Sequence, residues 1–138
     1  MDATPENIEA FIKNWNLNMA TLEQLGSLII AIGYIYFIFG ADLDIKETLD
    51  INTNGASPTT VTLNGAEIIL LGYIILWVVA KERLKEKEFE NAFTSNNTSL
   101  SPFIQLADSY LLSVFVNLLR VDALAKIDLI NKSGEAFV

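Results

Sequence analysis

Two stretches of uncharged, strongly apolar sequence decide most of what this chain can fold into. From Leu25 to Ala41 seventeen residues pass without a charge, and from Ile68 to Ala80 thirteen more. Each stretch holds nine Leu, Ile, Phe or Val residues, a content that favours insertion into a bilayer by about 3 to 5 kcal/mol. As helices they reach about 26 Å and about 20 Å, against a hydrocarbon layer roughly 30 Å thick. The second gains length backward through Ala66, Gly65, Asn64 and Leu63 if Glu67 lies near the headgroups, and forward on the stems of Lys81 and Arg83. Neither run alternates with polar positions at the helical period, so in a soluble fold each would need burial on every side. A chain of 138 residues makes a single domain with few such places.

Composition removes most chemistry. With no His and no Cys, the chain has no Cys/His zinc site, no Ser-His-Asp or Cys-His centre, no disulfide, and no haem or iron–sulfur ligation of the usual kind. Nine Lys and Arg against seventeen Asp and Glu give a net charge of −8, which offers no field to attract nucleic acid. No glycine-rich phosphate loop, GxSxG or SxxK pattern occurs. Asp42, Asp44, Glu47 and Asp50 faintly resemble the start of a calcium loop, but Lys46 occupies a ligand position and no Gly-x₅-Glu follows. Glu82, Glu86 and Glu90 form i,i+4 carboxylate pairs on a charged helix face, where solvation is expected. The sequence therefore predicts a non-enzyme with no catalytic, metal or cofactor-binding residues and no small-molecule substrate.

Around the apolar runs the organisation is helical. Thr4, Pro5 and Glu6 make a helix start, and Ile8, Phe11, Ile12, Trp15, Met19 and Leu22 follow at spacings of three and four, predicting an amphipathic helix over 5–22. Thr21-Leu22-Glu23-Gln24 has capping-box form and predicts a break or bend before a first span over 24–41. Residues 42–65 read as a polar, acidic loop; partial period-two alternation around Asn54-Gly55 fits a short β-hairpin there. A second span over 66–93 runs on into the charged stretch Lys81 to Glu88. Ser101 as N-cap and Pro102 at the first helical position open a last amphipathic helix over 102–130.

That last helix carries a polar stripe, Gln105, Ser109, Ser113, Asn117 and Arg120, opposite an apolar side. Asp108 projects within the apolar arc. It is either an intramembrane ionisable group or a carboxylate near the helix N-terminus, where the backbone dipole favours it. A shift of 39 residues superposes Gly26–Ala41 on Gly65–Ala80 with seven identities in sixteen positions. Gly26, Gly33 and Gly40 recur every seven residues, as do Gly65 and Gly72, giving each run a shallow groove for helix packing within the hairpin, between copies, or both.

The reading that follows is an all-α membrane protein: a two-span transmembrane helical hairpin flanked by N-terminal and C-terminal amphipathic helices. A three-span protein and a soluble all-α bundle are the alternatives. One Lys in the 42–65 loop against four Lys and Arg just past the second run predicts both termini on the cytoplasmic side. Its expected partners are the lipid membrane and either copies of itself or a larger membrane complex. A holin-like or channel-like pore former and a soluble interaction module remain as other functions.

Overall fold

The computed structural model describes residues 5–52, 55–95 and 97–134. They form three α-helices, α1 (Pro5–Thr48), α2 (Pro58–Phe93) and α3 (Ser101–Ser133), with no strand among the described residues. At about 1.5 Å per residue the helices are roughly 66, 54 and 50 Å long. Two of them, α1 and α2, are long and apolar enough to cross a membrane. α2 is the centre: α1 and α3 each pack along it and not on one another. Gly40 meets Pro58 and Thr62 while Gly26 meets Gly72 and Leu76, so α1 and α2 run antiparallel. Asp128 and Asn131 near the end of α3 bond Thr60 and Thr59 near the start of α2, so that pair is antiparallel as well.

Helix ends follow local chemistry more closely than the run of polarity. Ser57 caps α2, its Oγ accepting from the Thr60 amide at 3.4 Å, and Pro58 supplies the first helical residue. Val61 and Leu63 thus belong to α2 and form no hairpin; Asn54, half of the expected turn, lies outside the described residues, as does Thr4. The expected acidic loop over 42–65 shrinks to 49–57, because Asp42 and Lys46 continue α1 and pair at i,i+4 across 2.6 Å. At the third helix the cap position falls on Leu100, with Ser101 already helical, a shift of one residue.

The expected break near Thr21 is absent. Its hydroxyl donates to the Leu17 carbonyl at 3.0 Å instead of capping a new helix, and α1 continues unbroken because Met19 before it and Gly26 after it are buried together. A capping box states only that a helix could begin there; one face buried on both sides of it keeps the helix going.

α1 ends in a Schellman motif. The Ile51 amide donates to the Lys46 carbonyl at 2.9 Å and the Asp50 amide to that of Glu47 at 3.0 Å, with Asp50 at φ 55°. An Asp in this left-handed position carries a Cβ penalty that Gly lacks. Asp50→Gly is expected to stabilise the fold by about 0.5 to 1 kcal/mol, read from the unfolding of the helical signal. A destabilised variant would show that the Asp50 side chain contributes more than its backbone costs.

Candidate functional site

The seam between α1 and α2 is built on a seven-residue count. On α1 the buried positions are Met19, Gly26, Gly33 and Gly40; on α2 they include Pro58, Gly65, Gly72, Val79 and Glu86 at the same spacing. A strict seven-residue repeat is the period of a left-handed coil. A Cβ built on Gly33 would lie 2.7 Å from the Gly65 carbonyl oxygen and 3.0 Å from the Ile69 amide nitrogen; one on Gly65 would lie 2.7 Å from the Gly33 carbonyl. One on Gly72 would lie 2.8 Å from the Gly26 carbonyl and 2.5 Å from Ile30. The two backbones therefore touch where no side chain fits between them.

The 39-residue offset is visible in these contacts. It carries Gly33 with its neighbours Ile69 and Gly65 onto Gly72 with Ile30 and Gly26, and it carries Gly26 with Ile75 and Leu76 onto Gly65 with Tyr36 and Phe37. Equivalent residues thus make equivalent contacts across the hairpin, as a pseudo-two-fold axis between two antiparallel copies requires.

Beyond the glycines the same count reaches a polar clasp. Glu86, 1% exposed, accepts from Asn16 Nδ2 at 2.5 Å. Asn16 Oδ1 accepts from Arg83 Nη1 at 3.4 Å, and Arg83 Nη2 donates to Glu23 at 2.6 Å. Lys87 Nζ lies 4.0 Å from Glu86 and also pairs with Glu90. Glu86 is thus buried in the seam, which corrects its reading as a solvated helix-face carboxylate. Two steps of seven from Gly72, through Val79, would have found it. Its burial is tolerable because it is hydrogen-bonded, and such a pair penalises any sliding of one helix along the other. Phe11, Trp15, Phe89 and Phe93 stack past the clasp, with centroid spacings of 4.5 to 6.3 Å. A groove of about 710 Å³ opens beside them, between the start of α1 and the end of α2.

On the other side of α2 the register is held by Asp128, which accepts from Thr60 at 2.6 Å and from Lys132 at 2.6 Å. The Lys132 ammonium and then the Thr60 hydroxyl hold its carboxyl below the usual carboxylate range. This tie therefore survives acidification through that range and weakens only in stronger acid, where the carboxylate is protonated.

The polar stripe of α3 divides. Gln105 and Ser109 are exposed, Ser113 and Arg120 half-buried, and Asn117 buried. Its members bond in series: Ser113 Oγ donates to the Ser109 carbonyl at 3.0 Å, Asn117 Nδ2 to the Ser113 carbonyl at 2.8 Å, and Arg120 Nη1 to Asn117 Oδ1 at 3.1 Å. Tyr73 of α2 stands in the field of Tyr34, Arg120 and Tyr110, one from α1 and two from α3. Further along, Leu124 shares a cleft of about 290 Å³ with Phe37, Gly40, Ala41 and Thr62. Asp108 is exposed. Counting back along α3 from the Asp128–Thr60 bond, it stands level with Ala80, next to Lys81 at the charged end of the apolar run. Among the described residues no three Asp or Glu side chains gather where they could hold a metal ion.

Compared with protein-family models, with curated proteins and with solved structures, the chain matches none. The glycine seam is accordingly judged on its geometry. Alanine at Gly33, Gly65 or Gly72 drives a methyl into backbone and is expected to cost about 1 to 3 kcal/mol of stability. At Gly26 the first atoms met are side chains at 3.0 and 3.1 Å, which can give way, so Gly26→Ala is expected to cost less. Unfolding of the four variants in one lipid or detergent condition checks the ranking; equal tolerance at all four sites would contradict this packing.

Proposed function

We propose that this chain is a small, non-enzymatic integral membrane protein in which α1 and α2 cross the bilayer as a glycine-packed hairpin, α3 packs against α2, and the unit works by assembling with copies of itself or within a larger membrane complex. The observation that carries the proposal is the apolar exterior. Only 11% of the most apolar window of α1 is buried within the chain. Large side chains face outward from all three helices, among them Ile38 (68% exposed), Phe39, Leu71, Val78, Leu112 and Leu119 (72% exposed). Large apolar side chains exposed on all three helices invite a covering, and lipid or other apolar helices would supply it at no cost in unpaired backbone groups.

The clasp supports the same reading. Glu23, just before the first apolar run, is neutralised by Arg83, just after the second, so their charge need not enter the hydrocarbon bare. The hydrogen-bonded series along α3 favours a packing role over a pore: Asn117 and Arg120 are engaged by their own helix and by each other.

Two measurements test the proposal together. The protein is expected to stay in the membrane fraction after carbonate washing. With cysteines placed singly at Ala56 and Ser95, an impermeant thiol reagent on intact cells is expected to label only the first, in keeping with four Lys and Arg clustered after the second span. Recovery in the soluble fraction would end the membrane reading. Labelling at Ser95 alone would invert the topology, and labelling at both would refute the hairpin.

A further inference from the structure

The uncharged stretches of α2 and α3 lie at one level. Counting from the bond between Asp128 and Thr60, Ser109 stands level with Val79 and Leu119 with Ile69. The eleven uncharged residues 109–119 therefore coincide with the uncharged run 68–80 of α2. The flanking charges coincide as well: Asp108 stands level with Ala80, beside Lys81, and Arg120 with Ile68, beside Glu67. Other contacts along the pair agree with this count. Asn131 bonds Thr59, Leu124 shares a cleft with Thr62, and Tyr73 lies in the field of both Tyr110 and Arg120.

Within that stretch α3 is sorted by side. Val114 and Asn117 are buried and Ser113 is half-buried, while Leu112, Phe115, Val116, Leu118 and Leu119 are exposed. Ser109, at the edge of the stretch, is exposed and donates to the Leu106 carbonyl at 2.8 Å. Most of the polar groups thus turn into the molecule and the large apolar ones out of it, as on a helix in lipid and unlike one lying against water. Alone, eleven uncharged residues make about 16 Å of helix, too short for a span. Packed on α2, α3 has only the same layer to cross, about 20 Å deep.

We propose that α3 is a third membrane span: Leu112, Phe115, Val116 and Leu119 meet lipid acyl chains at the level of the α2 run, and Ser133 emerges on the side of the α1–α2 connection. This rests on the membrane hairpin argued above and adds a crossing to it. With α1 and α2 in the bilayer, α3 cannot lie on the membrane surface at the Ser95 side without giving up the bonds of Asp128 and Asn131 to Thr60 and Thr59 at the far end of α2. The start of α1 and the end of α3 then stand on opposite sides, which departs from two termini sharing the cytoplasmic side. A layer of about 20 Å is thinner than roughly 30 Å of hydrocarbon, so the bilayer thins around α2 and α3. The thinning falls on the side of the connection, where α1 alone stays apolar as far as Ala41. Charges in and beside the layer are partly compensated: Glu23 pairs with Arg83, Asp122 with Lys126, and Arg120 turns back to Asn117 Oδ1.

The test places single cysteines at Ala56, Ser95 and Ser133 in the full chain, which has no cysteine of its own, and applies an impermeant thiol reagent to intact cells. Ser133→Cys is expected to share the response of Ala56→Cys, with Ser95→Cys giving the opposite one, whichever side faces outward. Ser133→Cys responding with Ser95→Cys would overturn the third span and leave the hairpin standing. Ala56→Cys and Ser95→Cys responding alike would overturn hairpin and third span together. A second measurement reads the outward face itself: in opened membranes Leu119→Cys is expected to react about tenfold or more slowly than Ser133→Cys, because a thiol among acyl chains does not ionise. Equal rates at the two positions would put that face in water and overturn the proposal.

Discussion

Contact between two backbones at Gly26, Gly33, Gly65 and Gly72 is the constraint on which the rest of this structure depends. Burying large side chains is the usual way two helices are held together; here close van der Waals approach of the two backbones takes that place along the seam, as it would have to in the bilayer proposed above. Small residues every seven positions keep that approach on one face for the whole length of the pair. With the glycines interlocked in the observed register, Arg83 stands near Glu23, Asn16 against Glu86, and the aromatic stack of Phe11, Trp15 and Phe89 closes the end of the hairpin.

The clasp and the glycines contribute differently. Glycine contacts are compatible with sliding by one heptad, since Gly26 and Gly33 present similar surfaces to Gly65 and Gly72. A buried carboxylate is not, because a slip would leave Glu86 without the Asn16 amide in a place water does not reach. Close packing thus supplies attraction, and one hydrogen-bonded polar group supplies register, much as a single polar residue does in soluble coiled coils. The same division recurs between α2 and α3, where Asp128 with Thr60 and Lys132 fixes the register at one end.

Much of this was legible in the residues themselves. The two apolar runs announced their helices, and the spacing of Gly26, Gly33, Gly40, Gly65 and Gly72 marked a packing face, because a seven-residue period is a local property of the chain. The partner of that face was not legible, since packing within the hairpin and between copies use the same glycines. Glu86 was misread because charged neighbours from Lys81 to Glu88 suggest a solvated face, and only the position of α1 shows which of them is enclosed. The uninterrupted α1 and the shortened 49–57 connection were missed for a related reason: Thr21 and the acidic residues after Ala41 carry end signals that tertiary packing and the Ser57 cap override.

The seam is defined by the α1–α2 register, and one cross-link reads it directly. A Cβ on Gly40 would lie 3.4 Å from Thr62 Cβ, close to the roughly 3.5 to 4.5 Å spacing of disulfide Cβ atoms, and no native cysteine can interfere. Oxidation of a Gly40→Cys, Thr62→Cys chain in membranes is expected to close an intramolecular disulfide, while Gly33→Cys with Thr62→Cys, one heptad out of register, stays reduced. A disulfide in the second pair as readily as in the first, or cross-links only between chains, would contradict the register and with it the seam.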